Sequence, residues 1–351
     1  MKNQIAWLKG IRQIEIEDAA VPVLKDDEVL IQPHYVGVCG SDVGFFLDPT
    51  LNGRFSPKLP IILGHECGGV VVDRGKKVAN LQVGDKVAVE PGVPCCKCEY
   101  CLSGRYNLCP DVNFMAASPF QRGALCRYFA YPSQMAHVLP DNVTTLEGAM
   151  MEPLATGLYA AKRGGVELGD TVVILGAGCI GLMVLLSCLA RGATAIVIDL
   201  LENRLNLAKA CGAAHVVNAS RCDAVEAVMD LTGNKGGDIV FEAGGSAHTT
   251  GMTSQIVKIG GKIVLVGLTH MPVNFDFFSV ARKEVDILGV FRYANIYPLA
   301  REAISSGQID VKPVVSHEFP FEKVQQAFET AVYQKQEAVK IVVNMLEQPG
   351  S

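Results

Sequence analysis

The nineteen residues from Val172 to Ala190 carry no charge and are almost wholly apolar, yet Gly176, Gly178 and Gly181 interrupt them. An unbroken run of that length could cross a bilayer. Here, however, Thr171 to Leu175 is rich in β-branched residues, and the glycines separate it from a second apolar stretch. The run therefore reads as a buried strand, a tight turn and a buried helix, with no membrane segment. Strand and helix continue to alternate through AIVID, ENRLNLAKACG and HVVN, and glycine-fenced apolar runs recur in GGDIVFEAGG and GGKIVLVGL. That alternation predicts a parallel α/β sheet.

Ahead of this region the pattern differs. QIEIED, EVLIQPHYVGVC, CGGVVVDRG and DKVAVEPG are short runs punctuated by glycine and proline, and they predict an all-β unit. At 351 residues the chain is long enough for two cores. The rhythm changes at about Leu154, and again after Gly289. The tail holds a helix-like run from Pro298 to Ser306, a helix around FEKVQQAFETAVYQ and a closing strand, VKIVVNML. It is expected to return to the first unit, giving domains 1–154, 155–289 and 290–351 with the α/β part inserted.

Composition excludes several classes. Hydrophobic residues make up 49% and charged residues 19%, which suits a globular chain and argues against disorder. A net charge of -5, with no basic tract, gives no support to nucleic-acid binding. Twelve cysteines in so long a chain do not make a secreted disulfide scaffold. The N-terminal stretch has only four consecutive apolar residues before its next lysine, too few for a secretory signal. A reducing cytoplasm is the expected compartment.

Gly176-Ala-Gly178-Cys-Ile-Gly181 lies between the predicted strand and helix, the setting in which a glycine triplet binds a dinucleotide. The glycines allow a tight turn, approach of the pyrophosphate to the backbone and close helix packing. Phosphate charge then meets the helix N-terminus. Asp199 ends the next strand, eighteen residues past Gly181, where a carboxylate accepts from ribose hydroxyls and repels a 2'-phosphate. NAD is therefore expected, although Arg204 is near enough to pair with a phosphate.

Two metal sites are expected. Cys95, Cys98 and Cys101 are spaced by two residues, and Cys109 follows after seven more. A closed set of four thiolates on one loop is a structural zinc site. Cys96 could replace Cys95 if the loop shifted by one. Cys39 in GVCGSD, with His65 and Glu66 in LGHEC, supplies three mixed ligands that leave a fourth position open, as catalytic zinc requires. Glu152, in MEPLA, is a further candidate acid. Cys67, Cys126, Cys179, Cys188, Cys211 and Cys222 read as small core residues. His34, His137, His215, His248, His270 and His317 lack metal-ligand spacing.

The order GHE, four-cysteine lobe, EPLA and GAGxIG resembles the zinc-dependent medium-chain dehydrogenases over essentially the whole chain. VGVCGSD, VEPGVPC, GRYNLCPD, LPDNVTTLEGAMMEPLATG and GVFRYANIYPLA are most similar to the sorbitol, or polyol, dehydrogenase branch. The resemblance implies a GroES-like β-rich catalytic domain with both zincs, and a Rossmann doubly wound domain for NAD. By position, Cys39, His65 and Glu66 would ligate catalytic zinc, with Glu152 touching the metal or its water, and Ser41 would receive the substrate proton. Ile180, Asp199, Arg204, Val266, Gly267, Leu268, Val290, Phe291 and Arg292 would border NAD, and Arg292 and Tyr293 would meet substrate hydroxyls. Family members often carry histidine and tyrosine where this chain has Gly44 and Phe45. The implied activity is oxidation of a sorbitol-, xylitol- or galactitol-like polyol to its ketose, by a homotetramer. A vicinal-diol or threonine-type dehydrogenase is the alternative, and a non-catalytic, metal-stabilised nucleotide-binding protein the third reading.

Overall fold

The computed structural model describes residues 2–50, 57–117, 122–269 and 272–346. They divide into two compact units, one drawn from residues 1–152, 297–307 and 315–351, the other from 153–296 and 308–314. The return segment thus starts at Tyr297 rather than at 290, and residues 308–314 stay with the second unit. The reason is local. Val290 N–H donates to Leu265 O at 2.9 Å, which keeps the chain on the sheet past Gly289, and the Gln308 amide caps Ala190 O at 3.0 Å.

In the first unit the main sheet runs Ala136–Val138, Lys86–Val89, Glu66–Arg74, Glu28–Val38, Lys340–Asn344 and Val315–Pro320, with Phe129–Pro132 also pairing on Glu28–Val38. Glu28–Val38 is central, antiparallel to both Glu66–Arg74 and Lys340–Asn344. The closing strand therefore does return to the first unit, beside the loop that carries Cys39. Val29, Ile31, Val36, Val71, Val87 and Val343 from these strands join one core with Phe46, Phe321 and Phe328. Phe45 packs into the same core at 4% exposure, so it does not stand in for a polar pocket residue.

A helix over Thr145–Gly164, with Pro153 inside it, lies where the sequence reading assigned no element. Its start was nevertheless legible. Thr144 Oγ1 accepts from Glu147 N at 3.2 Å while Glu147 Oε2 accepts from Thr144 N at 2.8 Å, the reciprocal cap of a T-x-x-E sequence.

In the second unit the sheet order is His215–Asn218, Thr194–Asp199, Thr171–Leu175, Gly237–Glu242, Val257–Leu265 and Asp286–Gly289, with every pairing parallel. Sequence order reverses between Thr171–Leu175 and Gly237–Glu242, and ligands of such sheets bind beyond the carboxyl ends of the strands at that point. Val172 to Leu175 are fully buried, each side chain stabilising the sheet by about 1.5–3 kcal/mol. Among the described residues no helix is long and apolar enough to cross a membrane.

Candidate functional site

Cys39, His65 and Glu66 come together: one ligand atom from each lies within 4.8 Å of the others. Cys39 precedes the helix Gly40–Leu47, while His65 and Glu66 enter the strand Glu66–Arg74, so the sheet joins two loops separated in sequence. Asp42, which sequence reasoning passed over, ties them. Its Oδ2 accepts from Cys39 N and its Oδ1 from Gly64 N, both at 3.2 Å, and Oδ1 lies 3.4 Å from His65 Nδ1. The signal was the acid three residues after Cys39 in CGSD. On the other side Glu66 forms an ion pair with Lys340, both buried.

The electrostatics of this group call for a cation. Burial works against a charged imidazole, but the Asp42 carboxylate and Cys39 thiolate outweigh that penalty and hold the His65 pKa well above its usual value. Glu66 Oε2 is buried and accepts no directed hydrogen bond, its Lys340 contact being ionic. A thiolate, an imidazole and a carboxylate at this separation fit zinc with one position left for a further ligand. Asp42→Asn is expected to weaken zinc there by roughly 10–100-fold in chelator competition, since an outer partner that orients a ligating imidazole is lost. Unchanged affinity would mean that His65 needs no such orienter.

Glu152 is not in this group. It is buried at 7% exposure, one residue before Pro153 in the long helix. Ser41 is exposed in the first turn of its own helix, where its hydroxyl meets solvent.

Cys95, Cys98, Cys101 and Cys109 form the second cluster, again within 4.8 Å of one another. Cys98 and Cys101 Sγ are 3.4 Å apart, Cys95 and Cys101 3.9 Å, and all are free thiols. Backbone N–H groups of Lys97 and Cys98 lower the Cys95 pKa to about 6, whereas burial and hydrogen bonds to Cys98 and Cys109 push Cys101 up to about 12. Such crowding of thiols is relieved when a cation replaces their protons. Cys96 is exposed, with φ 59°, and its Sγ turns to Pro94 O, so Cys95 is the residue in the cluster. The lobe is tethered by Glu90, which nothing in the sequence singled out: Tyr106 OH donates to its Oε1 at 2.7 Å and His137 Nε2 meets its Oε2 at 2.9 Å. Of the remaining cysteines, Cys67, Cys126 and Cys188 are buried, but Cys179 and Cys211 are only partly so and Cys222 is exposed, which corrects their reading as core residues. His270 lies outside the described residues.

The glycine turn is formed as expected. Gly176 has φ 100°, Gly178 precedes the helix Cys179–Leu189, and a Cβ on Gly181 would fall 1.8 Å from Gly176 O. A Cβ on Gly178 would meet nothing nearer than Arg204 Nη1, at 3.9 Å, leaving open backbone beside a guanidinium where a pyrophosphate fits. Asp199 is partly committed to the protein: Oδ2 accepts from Ala177 N at 2.7 Å, and Oδ1 from Leu200 N at 2.8 Å and Leu201 N at 3.0 Å. A carboxylate still has acceptor capacity beyond these three bonds. Ile180 stands in the first turn of the helix. Val266 and Val290 are buried beside the strand ends, Gly267 packs against Gly245 and Glu242, and Leu268 is exposed. Arg292 adopts φ 53° with its guanidinium 4.8 Å from the centre of the Phe291 ring, and Tyr293 is buried.

Family models match the chain twice, an alcohol dehydrogenase GroES-like domain over residues 25–141 and a zinc-binding dehydrogenase domain over 179–306. An uncharacterized zinc-type alcohol dehydrogenase-like protein, YdjJ, of Escherichia coli (strain K12) is 47% identical, covering 98% of this chain and 99% of that protein. Sorbitol dehydrogenase of Bacillus subtilis (strain 168) is 40% identical over 96% of each chain. A crystal structure of an Escherichia coli oxidoreductase of unknown specificity superposes with a TM-score of 0.96 at 45% identity, covering 99% of this chain and 100% of that one. The chain belongs to the zinc-dependent medium-chain dehydrogenases. Within them it falls in the polyol dehydrogenase branch, with a GroES-like domain and a Rossmann-type sheet.

Proposed function

We propose that this member of the family oxidises a secondary hydroxyl of a sugar alcohol, of the sorbitol, xylitol or galactitol kind, to the ketose, with NAD as acceptor. The observation that carries the reading is the buried convergence of Cys39, His65 and Glu66, a three-ligand set with a position to spare. Bound to these residues and to the glycine turn, zinc supplies Lewis-acid polarisation of a hydroxyl and the dinucleotide accepts hydride. The protein's own groups do the rest. Asp42 orients His65, and the exposed Ser41 hydroxyl passes the substrate proton to water. Glu152 serves through solvent rather than as a direct ligand. Arg292 and Tyr293 donate to the row of polyol oxygens and disfavour apolar alcohols, which would leave those donors unpaired. Cys95, Cys98, Cys101 and Cys109 hold the structural zinc.

Initial rates across stereoisomeric alditols, followed by NADH absorbance, test the substrate. Activity confined to butanediol or threonine would overturn the polyol assignment, and no NAD-linked oxidation of any alcohol would overturn catalysis. Asp199 supports NAD over NADP. Asp199→Asn keeps an acceptor for the backbone but removes the charge, and is expected to shift preference toward NADP by roughly tenfold or more. An unchanged ratio would place the acid away from the ribose. A cytoplasmic homo-oligomer, a tetramer by resemblance, is part of the same proposal. Its support is the strand Asp286–Gly289 at the end of the sheet, unpaired on its outer side among the described residues, with Phe277 and Phe278 exposed on the helix that precedes it. A monomer by sedimentation would refute it.

A further inference from the structure

Glu66 begins one strand, Gly37 lies directly opposite it on the neighbour, and the strand starting at Lys340 pairs on the far side, with Ile341 against Val38 and Val342 against Gly37. Gly37 is therefore the gap between an acid and a base that are two strands apart. The Glu66 carboxylate fills that gap, since a Cβ on Gly37 would stand 1.9 Å from its Oε2. Beyond it the Lys340 ammonium meets Glu66 and donates to Val38 O at 3.2 Å. Side-chain exposure is 3% for Lys340 and 1% for Glu66, so neither charge is shared with water.

Burying such a pair costs more in desolvation than a surface pair would, and breaking one half of it leaves an uncompensated charge. Its value here is to the metal ligand. Asp42 and Glu66, both buried, and the half-buried Cys39 thiolate are three anions in one group, and a divalent cation balances only two of them. Lys340 supplies the remaining charge.

We propose that Lys340 is a positioning residue of the three-ligand metal site, holding the Glu66 carboxylate across side-chain-free Gly37 and keeping the metal-loaded group electrically neutral. The proposal rests on reading Cys39, His65 and Glu66 as zinc ligands. It adds that the donor strength of Glu66 is set by a residue of the closing strand, near the far end of the chain.

The test is zinc stoichiometry and affinity, measured by competition with a chromogenic chelator on wild type, Lys340→Met, Lys340→Arg and Gly37→Ala. Wild type is expected to hold two zinc ions. Lys340→Met should weaken one of them by roughly 10–100-fold and leave the four-cysteine zinc unaffected. Lys340→Arg, which restores the charge, should recover most of the loss, a rescue that a purely packing role for the lysine stem would not produce. Gly37→Ala keeps Lys340 but drives a methyl into the carboxylate, and should weaken the same ion. This second variant decides the matter if Lys340→Met fails to fold. Wild type with a single zinc would overturn the metal site itself, and the proposal with it. Two zinc ions in wild type, with Lys340→Met or Gly37→Ala binding both as tightly, would overturn the role of Lys340 alone.

Discussion

Cys39→Ser is expected to lower polyol turnover by roughly a thousandfold or more and to remove one zinc per chain, with the fold retained. Serine nearly matches cysteine in shape but is a poor zinc ligand at neutral pH, because it offers a hydroxyl in place of a thiolate. The remaining pair, His65 and Glu66, does not make a three-ligand site. The loss of Lewis-acid stabilisation, several kcal/mol, corresponds to about three powers of ten in rate. Cys39 is only half-buried and caps a short helix, so little packing is lost. Metal analysis, circular dichroism and initial rates on one preparation check this. Full turnover with one zinc missing would remove the open site from the chemistry.

Cys101→Ser should do the reverse. Nothing in the Glu99–Leu102 turn is buried and Leu102 is 77% exposed, so that turn gains little from hydrophobic packing; a metal on the four cysteines would hold it, together with the Tyr106–Glu90 tether. Binding of structural zinc to four-ligand peptides is worth about 10–16 kcal/mol at neutral pH, and only part of that needs to be spent on ordering this loop. Loss of one thiolate is expected to release that zinc, expose residues 95–109 to proteolysis and lower Tm by roughly 10 °C or more. A variant that keeps its Tm and protease resistance but loses turnover would exchange the roles of the two clusters.

The features legible in the sequence were those in which chemistry is set by local spacing. Cys95, Cys98, Cys101 and Cys109 lie on one loop, so chain geometry alone brings them within reach of one ion. Gly176, Gly178 and Gly181 sit at a strand-to-helix turn whose shape depends only on those glycines and their neighbours. Even so, spacing left Cys95 and Cys96 open, and only the positive φ of Cys96 and the turn of its thiol toward Pro94 excluded it. The helix Thr145–Gly164 was not assigned, although the T-x-x-E cap at Thr144 and Glu147 marks its start in the sequence. Asp42 and Glu90 were missed for another reason. Each reads as an ordinary acid until the fold shows what its oxygens accept.

From the sequence alone came the class of fold, the glycine turn and the two sets of candidate metal ligands, which depend on residue type and local spacing. Only the tertiary structure decided that Cys39 and Asp42 meet His65 and that Lys340 faces Glu66 across Gly37. Those outcomes follow from strand order and register. Lys340 reaches Val38 across 302 residues of chain, and a pairing of that kind is the sum of many weak contacts spread over the whole sheet, none of which any short segment encodes.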